Sequence, residues 1–211
     1  MASRPSFAQN AADAITHINP RFHAVIRLSG LCTIGDVRGK NRSRESNFSS
    51  LAASILSQQL STKAASTIIA RVAELSGGKL QASELAEMKT SRLRSAGCSE
   101  AKARAVKELA RVTVEKKIPI SSLQRLSDQE IKAHLLPLFG IGQWTVEMFL
   151  MFQLGRHDIW PVGDLGVRRG WEKVHRMRTE IEPKKLMKLG EKYAPYRSHL
   201  AWYCWRAVEV L

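Results

Sequence analysis

A single aspartate stands where a constrained loop enters a predicted helix. The segment reads Ile159-Trp160-Pro161-Val162-Gly163-Asp164-Leu165-Gly166-Val167-Arg168, and it places Asp164 where it can cap the helix that follows. Capping alone explains most aspartates at such positions. The positive end of a helix also favours a carboxylate anion, which could stabilise positive charge that develops on a reacting sugar. The segment therefore supports either a structural or a catalytic role for Asp164.

A second segment pairs two glycines around one apolar residue. It reads Leu138-Phe139-Gly140-Ile141-Gly142-Gln143-Trp144-Thr145 and lies between two short predicted helices. We expect Gly140 and Gly142 to permit a tight reversal, Ile141 to anchor it in the core, and the N–H groups that open the second helix to face a phosphate. The simpler alternative is an ordinary corner between helices, with a glycine ending the first one.

Together, the two segments resemble the helix-hairpin-helix (HhH-GPD) DNA glycosylase superfamily. A third segment, Ile55-Leu56-Ser57-Gln58-Gln59-Leu60-Ser61, resembles the part of the family that meets the minor groove of DNA. The resemblance implies that Asp164 is catalytic. It also implies a set of DNA-binding residues: Gln58, Gln59, Gly140, Gly142, Gln143, Thr145 and Arg168. For the two glutamines, a solvated helix face is the structural alternative.

Two departures from the endonuclease III pattern narrow the implied chemistry. Trp144 stands where strand-cleaving members carry a lysine nucleophile, and the chain lacks the clustered cysteines of the iron-sulfur members. The resemblance therefore favours a monofunctional glycosylase that uses water. Family hairpins can hold an alkali ion beside the phosphate, but no His, Cys or carboxylate cluster in the sequence demands a metal, and we expect no cofactor. The chain is similar to the 3-methyladenine glycosylase II branch of the superfamily, in a compact form without the N-terminal β domain.

The same branch implies an aromatic pocket for alkylated purines. Stacking on an aromatic face suits an electron-deficient, cationic base. The substrate-binding residues that we predict are Trp144, Trp160, Tyr196 and Met148. Met148 stands where a second aromatic residue is expected, and packing in the core is the alternative for Trp160 and Tyr196.

The segment that supplies a bulky wedge in the family has only small residues here. The wedge fills the gap that the flipped base leaves in the DNA, whereas Ala96 and Cys98 stand at the matching positions of this chain. We expect the wedge to lie elsewhere or these positions to act together with Gln58 and Gln59.

The elements that must position these residues are helices. Apolar residues recur at helical spacing almost everywhere, which predicts an all-α fold. We expect one long helix from Asn47 to about Leu75 and a capping box at Ser127 and Glu130. Shorter helices are predicted at 20–29, 83–88, 91–95, 99–115, 127–136, 142–154, 164–177, 183–193 and 196–210, with a polar loop at 35–47.

The resemblance implies that these helices form two lobes with an active-site cleft between them. The first covers residues 46–155 and includes the helix-hairpin-helix at about 127–154. The second combines 1–45 with 156–211 and carries Asp164. The fold leads us to expect a monomer.

The net charge of the chain agrees with a nucleic-acid partner. Thirty-three Lys and Arg face nineteen Asp and Glu, a net charge of +14, which attracts a polyanion such as nucleic acid. A generally basic protein without such a partner is the alternative, and the resemblance implies double-stranded DNA with a damaged base. Cys32, Cys98 and Cys204 have no disulfide or metal-ligand spacing, so we expect free thiols.

No apolar run is long enough for a membrane span. The expected location is the cytoplasm, with the nucleoid, in a bacterium, or the nucleus in a eukaryote.

The sequence thus favours a glycosylase that flips out and hydrolyses alkylated purines from DNA. Two other functions stay open. A glycosylase of the same fold could act on a deaminated or oxidised base, and a non-catalytic helix-hairpin-helix protein could only bind DNA. The second of these leaves the segment around Asp164 unexplained.

Overall fold

The protein is helical throughout the part that the structure describes. The computed structural model describes residues 6–35 and 46–211, and no β-strand occurs in these ranges, which confirms the all-α prediction. The α-helices are α1 (Phe7–Ile18), α2 (His23–Ser29), α3 (Asn47–Ser57), α4 (Thr62–Leu75), α5 (Ala82–Glu87), α6 (Thr90–Ser95), α7 (Glu100–Val114), α8 (Asp128–Leu135), α9 (Gln143–Met148), α10 (Leu165–His175), α11 (Pro183–Gly190) and α12 (Arg197–Val210). Short 3-10 helices occur at Pro20–Phe22, Ile120–Arg125 and Glu191–Tyr193, and a π-helical turn at Phe149–Gln153.

The long helix predicted from Asn47 to Leu75 is wrong, because the chain breaks it into α3 and α4. Gln58 leaves the helical conformation with ψ 135°, and Gln59 follows in a left-handed conformation with φ 57°, so the helical hydrogen-bonding pattern ends at this pair. Ser61 then caps α4 by accepting a hydrogen bond from the Ala64 N–H. The break forms a turn, residues 58–61, that we call the α3–α4 turn.

The remaining predicted helices start close to where the structure has them. From α5 onward each predicted helix begins within one residue of the observed start, and the capping box of Ser127 and Glu130 is present with both of its hydrogen bonds. The sequence analysis did not predict α1. The loop predicted at 35–47 lies almost entirely outside the described residues.

The chain divides into two compact units, at 42/43 and at 149/150. Among the described residues, unit 1 comprises 6–35 and 150–211, and unit 2 comprises 46–149. None of the described helices is long and apolar enough to cross a lipid bilayer.

Unit 2 is built around α3. This helix packs against α4, α7 and α9, and its fully buried residues include Leu51, Ile55 and Leu56. Lys102 of α7 donates a hydrogen bond from Nζ to the Leu56 carbonyl, 2.8 Å away, which satisfies one of the carbonyls that a helix leaves unpaired at its C-terminus. Burial lowers the pKa of Lys102. The C-terminal end of α3, and with it the α3–α4 turn, is therefore fixed from outside the helix.

Unit 1 is built around the packing of α10 on α12. The two helices approach most closely at Gly170, where a Cβ would collide with the backbone carbonyl of Cys204. Trp171 and Val167 fill the core on the α10 side, and Leu200 and Tyr203 on the α12 side. This contact fixes the helix that Asp164 starts against the helix that carries the C-terminal tryptophans.

Candidate active site

Asp164 begins α10 with its carboxylate in a fixed orientation. It is the N-cap residue, and its Oδ1 accepts a hydrogen bond from the Val167 N–H at 2.8 Å. The same oxygen accepts a second hydrogen bond, also 2.8 Å, from the indole Nε1 of Trp205. The predicted capping role of Asp164 is confirmed. The second bond goes beyond capping, because it couples the carboxylate to an aromatic side chain on α12.

Trp205 is the residue of this candidate site that sequence reasoning missed. Its ring stacks on Phe152, with centroids 5.7 Å apart and planes 28° apart. Phe152 lies in the π-helical turn, a rare element that is frequent at functional sites. Trp205 and Asp164 are 41 residues apart, so no local pattern could join them.

The aromatic pair borders a cavity of about 430 Å³ in unit 1. Phe152, Trp202 and Trp205 provide its aromatic walls, and Arg206 and Glu209 also line it. Arg206 forms an ion pair with Glu209 and lies 5.5 Å from the ring centroid of Trp202. The cavity therefore combines flat apolar surface with a charged pair, beside the side chain that holds Asp164.

The loop before Asp164 is held by the start of α12. Arg197 makes a bidentate contact with Asp158, at 2.7 Å and 2.6 Å, and this raises the pKa of the guanidinium. Ser198 donates from its hydroxyl to the Arg156 carbonyl and accepts from the Ile159 N–H. The stretch that begins at Tyr196 thus acts as a support for the loop.

Two of the predicted substrate-binding aromatics are held by neighbours in unit 1. Trp160 is only 5% exposed, and its Nε1 donates to the Leu186 carbonyl at 3.0 Å. This burial leaves no ring face for a base, so the prediction for Trp160 is corrected to a core role. Tyr196 is partly exposed and lies 5.2 Å from the ring of Phe7 in α1.

The glycine hairpin in unit 2 has the predicted reversal, and its two glycines differ in purpose. Gly140 has φ +79°, and a Cβ there would lie 2.6 Å from the Cβ of Ala105 in α7. Gly142 has an ordinary φ of −95° and no atom within 4 Å of its missing Cβ. Ile141 is buried, as predicted. The fold thus requires glycine at 140, whereas at 142 glycine leaves open space in front of the N–H groups that start α9.

Gln58 links the α3–α4 turn to the hairpin. Its side-chain amide donates to the Gly140 carbonyl at 2.9 Å and to the Thr145 hydroxyl at 3.3 Å. Thr145 is 3% exposed, so a contact between Thr145 and a phosphate would have to use its backbone N–H. The amide donors of Gln58 are likewise directed into unit 2.

The residues beside this link are open to solvent. A cavity of about 680 Å³ is lined by Gln59, Leu60, Gly142 and Trp144 among others. Trp144 is 46% exposed, and Met148, one helical turn further along, is partly exposed. Ala96 and Cys98 are buried and cannot enter DNA as a wedge, so the exposed Gln59 and Leu60 are better placed for that role.

The partners of the other predicted DNA contacts differ. Gln143 is exposed, and its amide donates to the buried carboxylate of Glu147 at 2.7 Å. Arg168 is partly buried on α10, and its Nε has no hydrogen-bond partner among the described residues. Gln143 lies on α9, which begins at the glycine hairpin, and Arg168 lies on α10, which begins after Asp164.

The cysteines have the properties of packing residues. All three thiols are free and buried, and burial raises the pKa of Cys32 to about 12 and raises that of Cys98 and Cys204 as well. No group of three or more His, Cys, Asp or Glu in the described ranges could hold a metal ion.

The chain matches one protein family over most of its length. Residues 52–195 match the model of the HhH-GPD superfamily base excision DNA repair protein. DNA-3-methyladenine glycosylase 1 of Schizosaccharomyces pombe is 35% identical over 196 residues, which are 87% of this chain and 86% of that protein.

Solved structures give the same result. The structure of S. pombe 3-methyladenine DNA glycosylase (Mag1) in complex with abasic DNA superimposes with a TM-score of 0.83 and 30% identity, covering 95% of this chain and 97% of that one. DNA-3-methyladenine glycosidase from Bacillus halodurans superimposes with a TM-score of 0.81 and 32% identity, covering 99% and 94% of the two chains. The protein therefore belongs to the HhH-GPD superfamily of base excision DNA repair proteins.

Proposed function

We propose that this protein is a monofunctional DNA glycosylase that removes alkylated purines, of the 3-methyladenine type, from double-stranded DNA. The observation that carries the proposal is the carboxylate of Asp164, which the Val167 N–H and the Trp205 indole hold at the start of α10. The names of the relatives from S. pombe and B. halodurans support the substrate class. The S. pombe relative forms a complex with abasic DNA, the product that a glycosylase leaves.

DNA binding is assigned to unit 2. The N–H groups that open α9 would face a phosphate across the open space at Gly142, because helix starts attract anions. The α3–α4 turn would meet the minor groove with the exposed residues Gln59 and Leu60. The net charge of +14 adds an attraction to the whole backbone that does not depend on sequence.

The flipped base would stack on Trp144. A ring nitrogen that carries an alkyl group makes the purine cationic, and a cation is attracted to the face of an indole. Trp144 is 46% exposed, so a large part of its ring can be covered by a ligand. Met148 follows one turn later, and its flexible thioether adapts to bases of different shape.

Asp164 would act on the sugar. As the bond from C1′ to the base nitrogen breaks, the base leaves with the bonding electrons, and the sugar develops an oxocarbenium-like positive charge that the carboxylate stabilises. The oxygen of a water molecule then bonds to C1′, and the proton that it loses goes to Asp164 or to solvent. Trp144 at the position of the family lysine leaves no amine there to form a Schiff base.

The proposal is tested by excision from a duplex that contains one 3-methyladenine-type lesion, compared with a duplex that contains hypoxanthine, a deaminated base; excision of hypoxanthine alone would favour a glycosylase of the same fold for deaminated bases. We expect the wild type to give an abasic site, detected as strand cleavage only after alkali, and no covalent complex to be trapped with borohydride. Asp164→Asn should retain DNA binding and lose excision by about 100-fold or more, because asparagine also caps helices but cannot stabilise the charge.

Glu182→Gln serves as the matched control. Glu182 is an exposed residue at the N-cap position of α11, where its side chain makes no capping bond, so its loss should not change excision. Full excision by Asp164→Asn would refute the role of Asp164. Tight binding by the wild type with no excision of any lesion would identify a protein that only binds DNA. The proposed site of action is the DNA itself, in the nucleoid or the nucleus.

A further inference from the structure

An arginine on α7 stacks on an exposed phenylalanine at the hairpin. The guanidinium carbon of Arg104 lies 4.0 Å from the ring centroid of Phe139. Phe139 directly precedes Gly140, and 37% of its surface is exposed. The guanidinium therefore lies over the face of a ring that is partly open to solvent.

The position of Arg104 relative to the hairpin is fixed by two further contacts. The next residue, Ala105, packs so closely against Gly140 that a Cβ there would come within 2.6 Å. One helical turn after Arg104, Glu108 accepts a hydrogen bond from the Phe139 N–H at 3.2 Å. The hairpin backbone is thus held on α7 at Ala105 and Glu108, both within the turn that follows Arg104, and the arginine keeps its place beside it.

The charge of Arg104 is not neutralised within the part of the chain that the structure describes. Its side chain is exposed, and no carboxylate of residues 6–35 or 46–211 forms an ion pair with it. The carboxylate four residues on, Glu108, accepts the Phe139 N–H. A stacked guanidinium keeps its N–H donors around the edge of its plane, where they can bind a phosphate with two hydrogen bonds.

We propose that Arg104, held in place by Phe139, binds a DNA phosphate next to the one that faces the hairpin. The assignment rests on the proposed function, because it requires that unit 2 binds DNA. Stacking restricts the side chain before DNA arrives, so less conformational entropy is lost on binding. Phe139 is the positioning residue, and Arg104 makes the contact.

The test is the salt dependence of binding to a duplex with a tetrahydrofuran abasic-site analogue, measured by fluorescence anisotropy. Arg104→Gln should lower the slope of log K against log salt concentration by about one. Its affinity at low salt should fall by about 5-fold to 20-fold. Arg104→Lys should keep most of the slope and lose part of the affinity, because it keeps the charge without the planar donors.

Arg111→Gln is the matched control. Arg111 is exposed on the same helix, ~10 Å along the helix axis from Arg104, and the variant should keep the wild-type slope. In the Phe139→Leu background, Arg104→Gln should cost less affinity than in the wild type, since the two residues act as a pair.

An unchanged slope in a folded Arg104→Gln variant would overturn the proposal. Strictly additive effects of the Arg104 and Phe139 substitutions would overturn the positioning role. Excision by the wild type is measured separately: a lower slope without any excision would reject the glycosylase and keep the phosphate contact, whereas excision with an unchanged slope would do the reverse.

Discussion

Asp164 Oδ1 accepts two hydrogen bonds with different consequences. The bond from the Val167 N–H stabilises the start of α10, and the bond from Trp205 fixes how the carboxylate is turned. Trp205 in turn lies on Phe152 and against Gly166, where a Cβ would come 2.7 Å from the indole Cδ1. A change in this small group should therefore alter the orientation of the carboxylate while Asp164 itself is kept.

The substitution Gly166→Ala tests this coupling. The added methyl group would displace the indole and would also come 3.1 Å from Asp164 Oδ1. Because misplacement of a catalytic group by about 1 Å can cost about 100-fold in rate, we expect single-turnover excision to fall by about 10-fold to 100-fold. Affinity for undamaged DNA should stay close to wild type.

Gly163→Ala, in the loop just before Asp164, is its control. No atom lies within 4 Å of the missing Cβ of Gly163. The added methyl group therefore makes no new contact, and excision should change less than about 2-fold. If the two substitutions change excision equally, the effect of Gly166→Ala does not come from its contact with Trp205.

Sequence reasoning identified single residues where their roles are local. The capping by Asp164 and the burial of Ile141 follow from a few neighbouring residues. The roles of Trp160 and Trp205 depend on contacts from distant segments: Leu186 and Gly190 enclose Trp160, and Trp205 reaches back to Asp164. A tryptophan in a helical pattern has the same appearance in either case.

At the scale of elements, the break between α3 and α4 matters most. Glutamine is a good helix former, so the pair Gln58 and Gln59 gave no sign of a turn. The turn contains Gln59 in a left-handed conformation, which is unfavourable for a residue with a side chain. It is stabilised instead by the Ser61 cap and by the bonds from Gln58 to the hairpin. These bonds join two elements that the sequence analysis assigned separately to DNA binding.

The substitution Gln58→Glu tests this link. A carboxylate cannot donate to the Gly140 carbonyl and would repel it, so we expect a loss of about 1 to 3 kcal/mol in the free energy of unfolding. Affinity for abasic-site DNA should fall by about 10-fold or more as the α3–α4 turn and the hairpin lose their fixed spacing. Excision by the bound enzyme, measured at saturating protein, should fall less than the affinity.

Gln81→Glu provides the matched comparison. Gln81 is also in unit 2, and its amide donates to the Ser76 carbonyl at 2.9 Å, away from the hairpin in sequence. It should lose a similar amount of stability without a comparable loss of affinity. If both variants bind DNA equally well, the link has only a structural role.

At the scale of the whole molecule, the sequence predicted class and family because both depend on repeated local signals. Helical periodicity gave the all-α fold, and the hairpin with the Asp164 segment gave the superfamily. The sequence did not reveal the histidine cluster of unit 1, in which His199 and His157 lie against Phe7. His199 is completely buried, and neither of its ring nitrogens has a hydrogen-bond partner in the described ranges. The centroid of its ring lies 5.3 Å from that of His157 and 5.4 Å from that of Phe7.

This cluster should make the stability of the protein depend on pH. Burial, with a smaller effect from His157, lowers the pKa of His199 from 6.5 to about 4, and burial also lowers the pKa of His157 and His175. The unfolded chain therefore takes up protons that the folded chain excludes, so stability is greatest above pH 6.5 and is lost as the pH falls towards 4. For His199 alone we expect a loss of about 2 kcal/mol between pH 7 and pH 5.

Urea unfolding at pH 7 and pH 5 measures this loss, and His199→Phe removes its main source. The variant keeps an aromatic ring against Phe7 without a group that titrates, so its stability should fall less between the two pH values than that of the wild type. His23→Gln, at an exposed position in α2, should behave like the wild type. If His199→Phe loses as much stability as the wild type, the buried ring is not responsible, and the dependence must come from His157 and His175.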